Sequence, residues 1–428
     1  MVTWSTGGGE VAMRPSPSAA RALKSRVTSH FQPIVELSDR SVVGYEALAR
    51  WPEVPEARPD EVFAAAAGQG VLTDLDWLCR RAAVEGALDA GIRRPLTVFV
   101  NVEPRALGPM PRWRFPAERF REIASRELQI IVEFTERELL ADPGAVMTAI
   151  DWARGYGCGI ALDDVGVNPE SLTFLPIALP DVVKLDRSVV TRPGSRHHDE
   201  TVSFVADYAV STGARVIAEG IETEHDVHLA TVASATLGQG YLFGAPAPAP
   251  AEPPTPSAAS ALHLFGSLPR PLTRPSDVLD RLPRHVARYE TIARVFDELA
   301  TIGATLTWPG LLLVSAQNAD AFTRRFGDRY AGFARKHTLV GVIGAGDFSV
   351  PGVRGPADPD DGFPGEFSLV ILTDGYTATV VAKDLGDDGP LENRRYAWCF
   401  THDRSAVRQV AECIIRKLAP RRVPVGVG

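Results

Sequence analysis

The sequence predicts an α/β protein in which a TIM-like (β/α)8 barrel is followed by a smaller mixed α/β domain. Three observations predict it. Between residues 25 and 248, short apolar runs alternate with segments whose apolar residues recur at spacings of three and four, the pattern of βα units around a mainly parallel sheet. Those runs end, one after another, on polar and mostly acidic residues, as barrel strands do where they converge on one mouth. From Pro246 to Ala259 the chain reads PAPAPAEPPTPSAA. Repeated prolines remove backbone donors and favour extended backbone, so this stretch is a spacer.

Taken in order, residues 1–24 are rich in Gly, Ser, Ala and Pro without apolar periodicity and read as a disordered lead-in. Candidate strands then lie near Val42–Ala47, Leu96–Val102, Leu128–Phe134, Gly159–Asp163, Val182–Leu185, Arg215–Glu219 and Gly240–Phe243. Asp76–Leu88, Ala145–Tyr156, Thr201–Ser211 and Asp226–Ala235 carry helical spacing between them. The barrel is thus assigned to 25–248, the linker to 249–263, the second domain to 264–420 and a tail to 421–428. In the second domain, Tyr289–Ile302 and Ala319–Lys336 read as helices and Leu311–Val314 as a buried strand. Phe367–Leu372 and Thr377–Ala382 form a hairpin around the Asp-Gly turn at 373–376, and Tyr396–Phe400 with the helix Ser405–Leu418 closes the chain.

Composition bounds the function. The 428 residues, 45% hydrophobic and 23% charged, suffice for two or three globular domains. A net charge of −8 argues against a DNA-binding protein, since affinity for a polyanion needs clustered Lys and Arg. No apolar stretch approaches bilayer-spanning length and the N-terminus lacks a hydrophobic signal core, so the expected location is cytoplasmic. Cys79, Cys158, Cys399 and Cys413 form no CxxC pair, which indicates neither a zinc site nor a disulfide framework. Cys399, in an apolar strand, reads as a buried structural thiol, His197-His198 as solvated, and Asp403 as a helix cap.

The strand ends present Glu46, Asn101, Glu133, Asp163 with Asp164, Lys184, Glu219 and Gln239. Carboxylates gathered in one mouth repel each other unless cations lie between them. Oxygen ligands without nearby Cys or His favour hard cations, so Mg²⁺ or Mn²⁺ is expected, with the Asp163-Asp164 pair able to serve two ions. Two ions point to phosphate chemistry, in which Lys184 orients water or offsets phosphate charge. Glu219 either takes a proton or holds a metal; spacing leaves that open.

These residues resemble a known family. Tyr45-Glu46-Ala47-Leu48-Ala49-Arg50 carries the signature of EAL-domain cyclic di-GMP phosphodiesterases. In the family's order it is joined by FQPIVEL from Phe31, FVNVEP from Phe99, VEFTE from Val132, LDD from Leu162, VKLDRS from Val183, IAEGIET from Ile217 and GQGYLFG from Gly238. The resemblance covers about Val27 to Pro248. It implies a modified barrel of the EAL type with one early antiparallel strand, a homodimer through the barrel, and hydrolysis of cyclic di-GMP to linear pGpG. It places Glu46, Asn101, Glu133 and Asp163 on a first metal and Asp164 on a second. Glu219 and Lys184 flank the attacking water, while Gln239 and Glu222 complete the site. Gln32 and Arg50 contact the nucleotide, and Asp186 follows Lys184 as a substrate-side or supporting residue.

One loop departs from the family. After Asp163 the family resembles DFGTGYSSL, whereas residues 164–172 read DVGVNPESL. Glu136 retains the position of the loop-anchoring glutamate. Three readings follow: a working phosphodiesterase regulated by its second domain, a catalytically weak or inactive cyclic di-GMP receptor that signals through protein interaction, and a protein-interaction module without nucleotide, which leaves the retained carboxylates without a purpose. The second domain resembles the DICT sensory domain, with a ligand the sequence does not name.

Overall fold

The computed structural model describes residues 16–106, 117–192, 194–248, 261–265, 271–306, 310–373, 375–390 and 393–421. In the N-terminal region eight strands close a barrel: β1 (Thr28–Glu36), β2 (Val42–Arg50), β3 (Thr97–Asn101), β4 (Gln129–Thr135), β5 (Gly159–Val165), β6 (Val182–Leu185), β7 (Arg215–Ala218) and β8 (Leu237–Gln239). The C-terminal region holds β9 (His285–Arg288), β10 (Leu311–Asn318), β11 (Leu339–Ala345), β12 (Glu366–Leu372), β13 (Thr377–Asp384) and β14 (Arg395–Thr401). These form a six-stranded sheet in the order β11-β10-β12-β13-β14-β9. Compactness divides the chain into two units, residues 1–133 with 156–158 and 239–262, and residues 134–155 with 159–238 and 263–428. The division cuts through the barrel.

In the first unit, β1 runs antiparallel to β2 and sets Gln32 opposite Glu46. β2 to β3 and β3 to β4 are parallel. Gly44 of β2 pairs with Thr97, whose carbonyl leaves no room for a Cβ there. β4 is buried at all but its last position, as expected of a parallel strand covered on both faces. Part of the lead-in differs from expectation. Pro17–Ala22 form a helix capped by Ser16, because Ala19 and Ala22 bury against Trp51, Val54 and Val62. These small side chains gave too weak an apolar period to read.

In the second unit, β5 to β8 pair in parallel. The helices Glu136–Ala141 and Glu224–Val232 start on capping boxes, Thr135 with Glu138 and Thr223 with Asp226. In the C-terminal sheet, Leu312, Val314, Val340, Leu369, Ile371 and Val380 form one face under the helices Tyr289–Thr305 and Ala319–Phe333. The helix Arg404–Ile415 lies against β10, β12 and β13 and buries Val407, Val410, Ala411 and Ile414. Asp403 caps it by accepting from Ala406 N at 2.8 Å, as the sequence predicts.

Other differences have local causes. β1 escaped the periodic reading because Pro33 lies in its middle, where it lacks a donor. β8 ends at Gln239, and the expected strand Gly240–Phe243 is a turn closed by Phe243 N donating to Gly240 O at 3.1 Å. It leaves Tyr241 67% exposed. β11 was missed because Gly341 and Gly344 interrupt its apolar run; Leu418 and the Ala316 carbonyl occupy the space a Cβ would need. His198 is buried rather than solvated, its Nδ1 2.9 Å from Asp199 Oδ1. The side chain of His197, residues 249–260 of the linker, and Asp374 of the hairpin turn lie outside the described residues.

Candidate functional site

The predicted site residues form two clusters on the barrel strands. In the first unit, Glu46 is buried at the middle of β2 and not at a strand end as the sequence predicts, because pairing with β1 carries β2 on to Arg50. One carboxylate oxygen accepts from Asn101 Nδ2 at 3.0 Å and the other from Gln239 Nε2 at 2.6 Å. Asn101 ends β3 opposite Glu133, which is 1% exposed. Gln239 also donates to Gln32 Oε1 at 3.1 Å, and Gln32 donates to the Gly244 carbonyl at 3.3 Å. Arg50 ends β2, its Nη1 donating to the Ala49 carbonyl at 2.9 Å.

In the second unit, Lys184 on β6 is fully buried, with Nζ 3.0 Å from Asp163 Oδ1 and 2.7 Å from Glu219 Oε1. Neighbouring strands β6 and β7 explain the contact, since Lys184 is paired with Ile217, two residues before Glu219. The β5–β6 register shifts between Leu162 and Val165, where Asp164 takes a left-handed φ of 58°. That irregularity breaks the strand's alternation. It brings ligand oxygens of Asp163, Asp164 and Glu219 within 4.8 Å of one another. Burial, and then the adjacent Asp163 charge, push the Asp164 carboxyl up to about 6, against the pull of Lys184.

The departing loop has its own anchor. Glu136, 1% exposed, accepts from Gly166 N at 3.0 Å, Asn168 N at 2.5 Å, Asn168 Nδ2 at 2.7 Å and Ser171 Oγ at 2.6 Å. Burial still holds its carboxyl above the usual carboxylate range. Asn168 and Ser171 were not singled out from the sequence; the retained glutamate was the signal that the loop needed donors to match it. Glu222 stands apart, half-exposed and paired with Arg187. Asp186 caps the turn Arg187–Val190 by accepting from Ser188 N at 2.8 Å.

Among the described residues, Asp163, Asp164 and Glu219 are the group of three acidic, His or Cys side chains placed to share a metal ion. The oxygen-only donor chemistry of both clusters fits a hard divalent cation and does not fit a soft one. No helix among the described residues is long and apolar enough to cross a membrane.

The EAL domain family matches residues 18–246. A cyclic di-GMP phosphodiesterase of Pseudomonas aeruginosa is 33% identical over 224 residues, covering 50% of this chain and 38% of the relative. A probable cyclic di-GMP phosphodiesterase of Escherichia coli is 30% identical over 226 residues, covering 52% of this chain and 43% of the relative. The chain therefore spans less than half the length of these two relatives. A Klebsiella pneumoniae protein solved as a manganese and cyclic di-GMP complex aligns with a TM-score of 0.45 at 25% identity, over 52% of this chain and 56% of that one.

Proposed function

Because the chain belongs to the EAL domain family, we propose that it hydrolyses one phosphodiester bond of cyclic di-GMP to give linear pGpG. The observation that carries this is the buried Lys184 ammonium between Asp163 and Glu219, beside a third carboxylate, Asp164. A lone structural ion pair has no need of the additional acid, whereas a site for cations and phosphate does. The names of the relatives support the substrate.

Glu46, Asn101, Glu133 and Asp163 would hold one Mg²⁺ or Mn²⁺ ion and Asp164 would serve a second. When bound, the ions supply Lewis-acid stabilisation of the charge that builds on the phosphate oxygens. Asn101 and Gln239 orient the Glu46 carboxylate through the bonds described. Lys184 bridges Asp163 and Glu219 and offsets phosphate charge. Glu219 accepts the proton of the attacking water, whose oxygen bonds to phosphorus as the bond to the ribose oxygen breaks, and the freed ribose oxygen takes up a proton from solvent to become a hydroxyl. Gln32 and Arg50 bind the nucleotide, Arg50 through its planar fork of donors. Asp186 and Glu222 support the strand ends from outside. The barrel spans 25–248 and pairs with a second copy, and residues 264–420 form a DICT-like domain that regulates it in the cytoplasm.

The altered loop 165–170 favours a second reading, a receptor that binds cyclic di-GMP and turns it over weakly or not at all. Incubation of the chain and its Glu46→Ala variant with cyclic di-GMP and Mg²⁺ or Mn²⁺ separates the two. Metal-dependent pGpG from the parent chain alone is expected. Intact nucleotide in every tube, with binding still seen by calorimetry, would leave the receptor.

A further inference from the structure

The C-terminal sheet reaches a barrel helix that carries the loop anchor, and both belong to the same compact unit. Arg354 is fastened to the sheet edge as an extra rung on β11: its N–H donates to the Val340 carbonyl at 2.9 Å, and its carbonyl accepts from Val342 N at 2.9 Å. From there its guanidinium donates to the carbonyls of Leu140 and Ala141, the latter at 3.3 Å. The Arg421 N–H donates to the same Ala141 carbonyl at 2.7 Å.

Those carbonyls end the six-residue helix Glu136–Ala141. The last carbonyls of a helix have no partner within it, and a cation there also meets the negative end of the helix dipole. So short a helix gains little from its own hydrogen bonds, and its position is set by what holds its ends. At its other end sits Glu136, whose carboxylate gathers Gly166, Asn168 and Ser171. Gly166 lies two residues after Asp164. Burial, and the nearby Arg421 charge, push the Arg354 guanidinium down to about 10, so it remains a cation at neutral pH.

We propose that Arg354 is a positioning residue: it sets the helix Glu136–Ala141 from the C-terminal sheet, and through Glu136 the loop 166–171 beside Asp163-Asp164. A shift of the β11 edge then reaches the acidic strand end through this short helix. The consequence for turnover rests on the phosphodiesterase reading; the mechanical coupling does not.

The test uses the full chain with Arg354→Gln and Arg354→Lys, read by amide hydrogen exchange and by cyclic di-GMP turnover. For Arg354→Gln, exchange at Gly166 and Asn168 rises about tenfold while β12 and β13 keep their protection, and kcat falls by a similar factor with KM little changed. Arg354→Lys, which retains a cation near the carbonyls, recovers part of both. Unchanged exchange at Gly166 and Asn168 overturns the proposal. So does exchange that rises equally in β12 and β13, since Arg354 would then be a staple for the whole unit. If the parent chain makes no pGpG yet the loop amides respond, the phosphodiesterase reading fails and the coupling stands.

Discussion

Lys184 Nζ lies 2.7 Å from Glu219 Oε1, and the lysine side chain has no exposed surface. An ammonium withdrawn from water needs compensation, and Asp163 at 3.0 Å adds to what Glu219 supplies. The carboxylates are 14% and 19% exposed, so the cation is sealed behind acids that still reach the mouth.

Replacing that cation should therefore be felt twice. Lys184→Met leaves neighbouring carboxylates uncompensated and is expected to lower stability in EDTA by about 3 kcal/mol. Turnover should fall by about a hundredfold or more. Urea unfolding and product chromatography measure the two effects, and wild-type turnover would remove Lys184 from the mechanism.

Metal binding should stabilise the fold, because ligands crowded within 4.8 Å repel one another until a cation separates them. At a hundred times its Kd, Mn²⁺ or Mg²⁺ is expected to add about 2.7 kcal/mol. Thermal unfolding with and without EDTA tests this. Asp163→Asn should shrink the shift, and an equal shift in that variant would place the ion elsewhere.

Glu136 is an acceptor for four donors, so Glu136→Gln sets an amide NH₂ against groups that also donate. A loss of about 2 kcal/mol is expected from the bonds left unmade. Pre-steady-state turnover should slow as the loop beside Asp164 loosens. An unaltered melting temperature would show that the loop does not depend on this anchor.

His337 makes the second unit sensitive to acid. Burial holds its imidazole below the usual 6.5, with one ring nitrogen 3.1 Å from the Gly303 carbonyl. Above pH 6.5 both folded and unfolded chains carry it neutral, and it contributes no pH dependence. As pH falls below that value the unfolded chain takes up the proton first. Stability is then lost until the lower folded pKa is reached. Urea midpoints measured from pH 7.5 to 5 should fall more steeply for the parent than for His337→Asn; parallel curves would exclude the histidine.

The barrel was legible because its strands are buried runs separated by helical periods, and because one polar residue at each strand end needs only correct strand limits to be placed. Asp163, Lys184 and Glu219 were readable in this way. The pairing of Lys184 with both acids was not, since it depends on which strands are neighbours and on their register. The left-handed Asp164 and the donors that Asn168 and Ser171 turn toward Glu136 were equally hidden. These are contacts between residues far apart along the chain, with no local period.

By itself, then, the sequence determined the α/β class, the EAL family and the residue types gathered at the strand ends, because apolar period and motif order are local properties. Tertiary structure alone decided that the lead-in helix Pro17–Ala22 packs on Trp51, that β8 stops at Gln239, and that Arg354 holds the end of the helix bearing Glu136. Each of these rests on surfaces and backbone groups that meet only when the chain closes, where burial and unmet hydrogen bonds set the energy rather than any pattern along the chain.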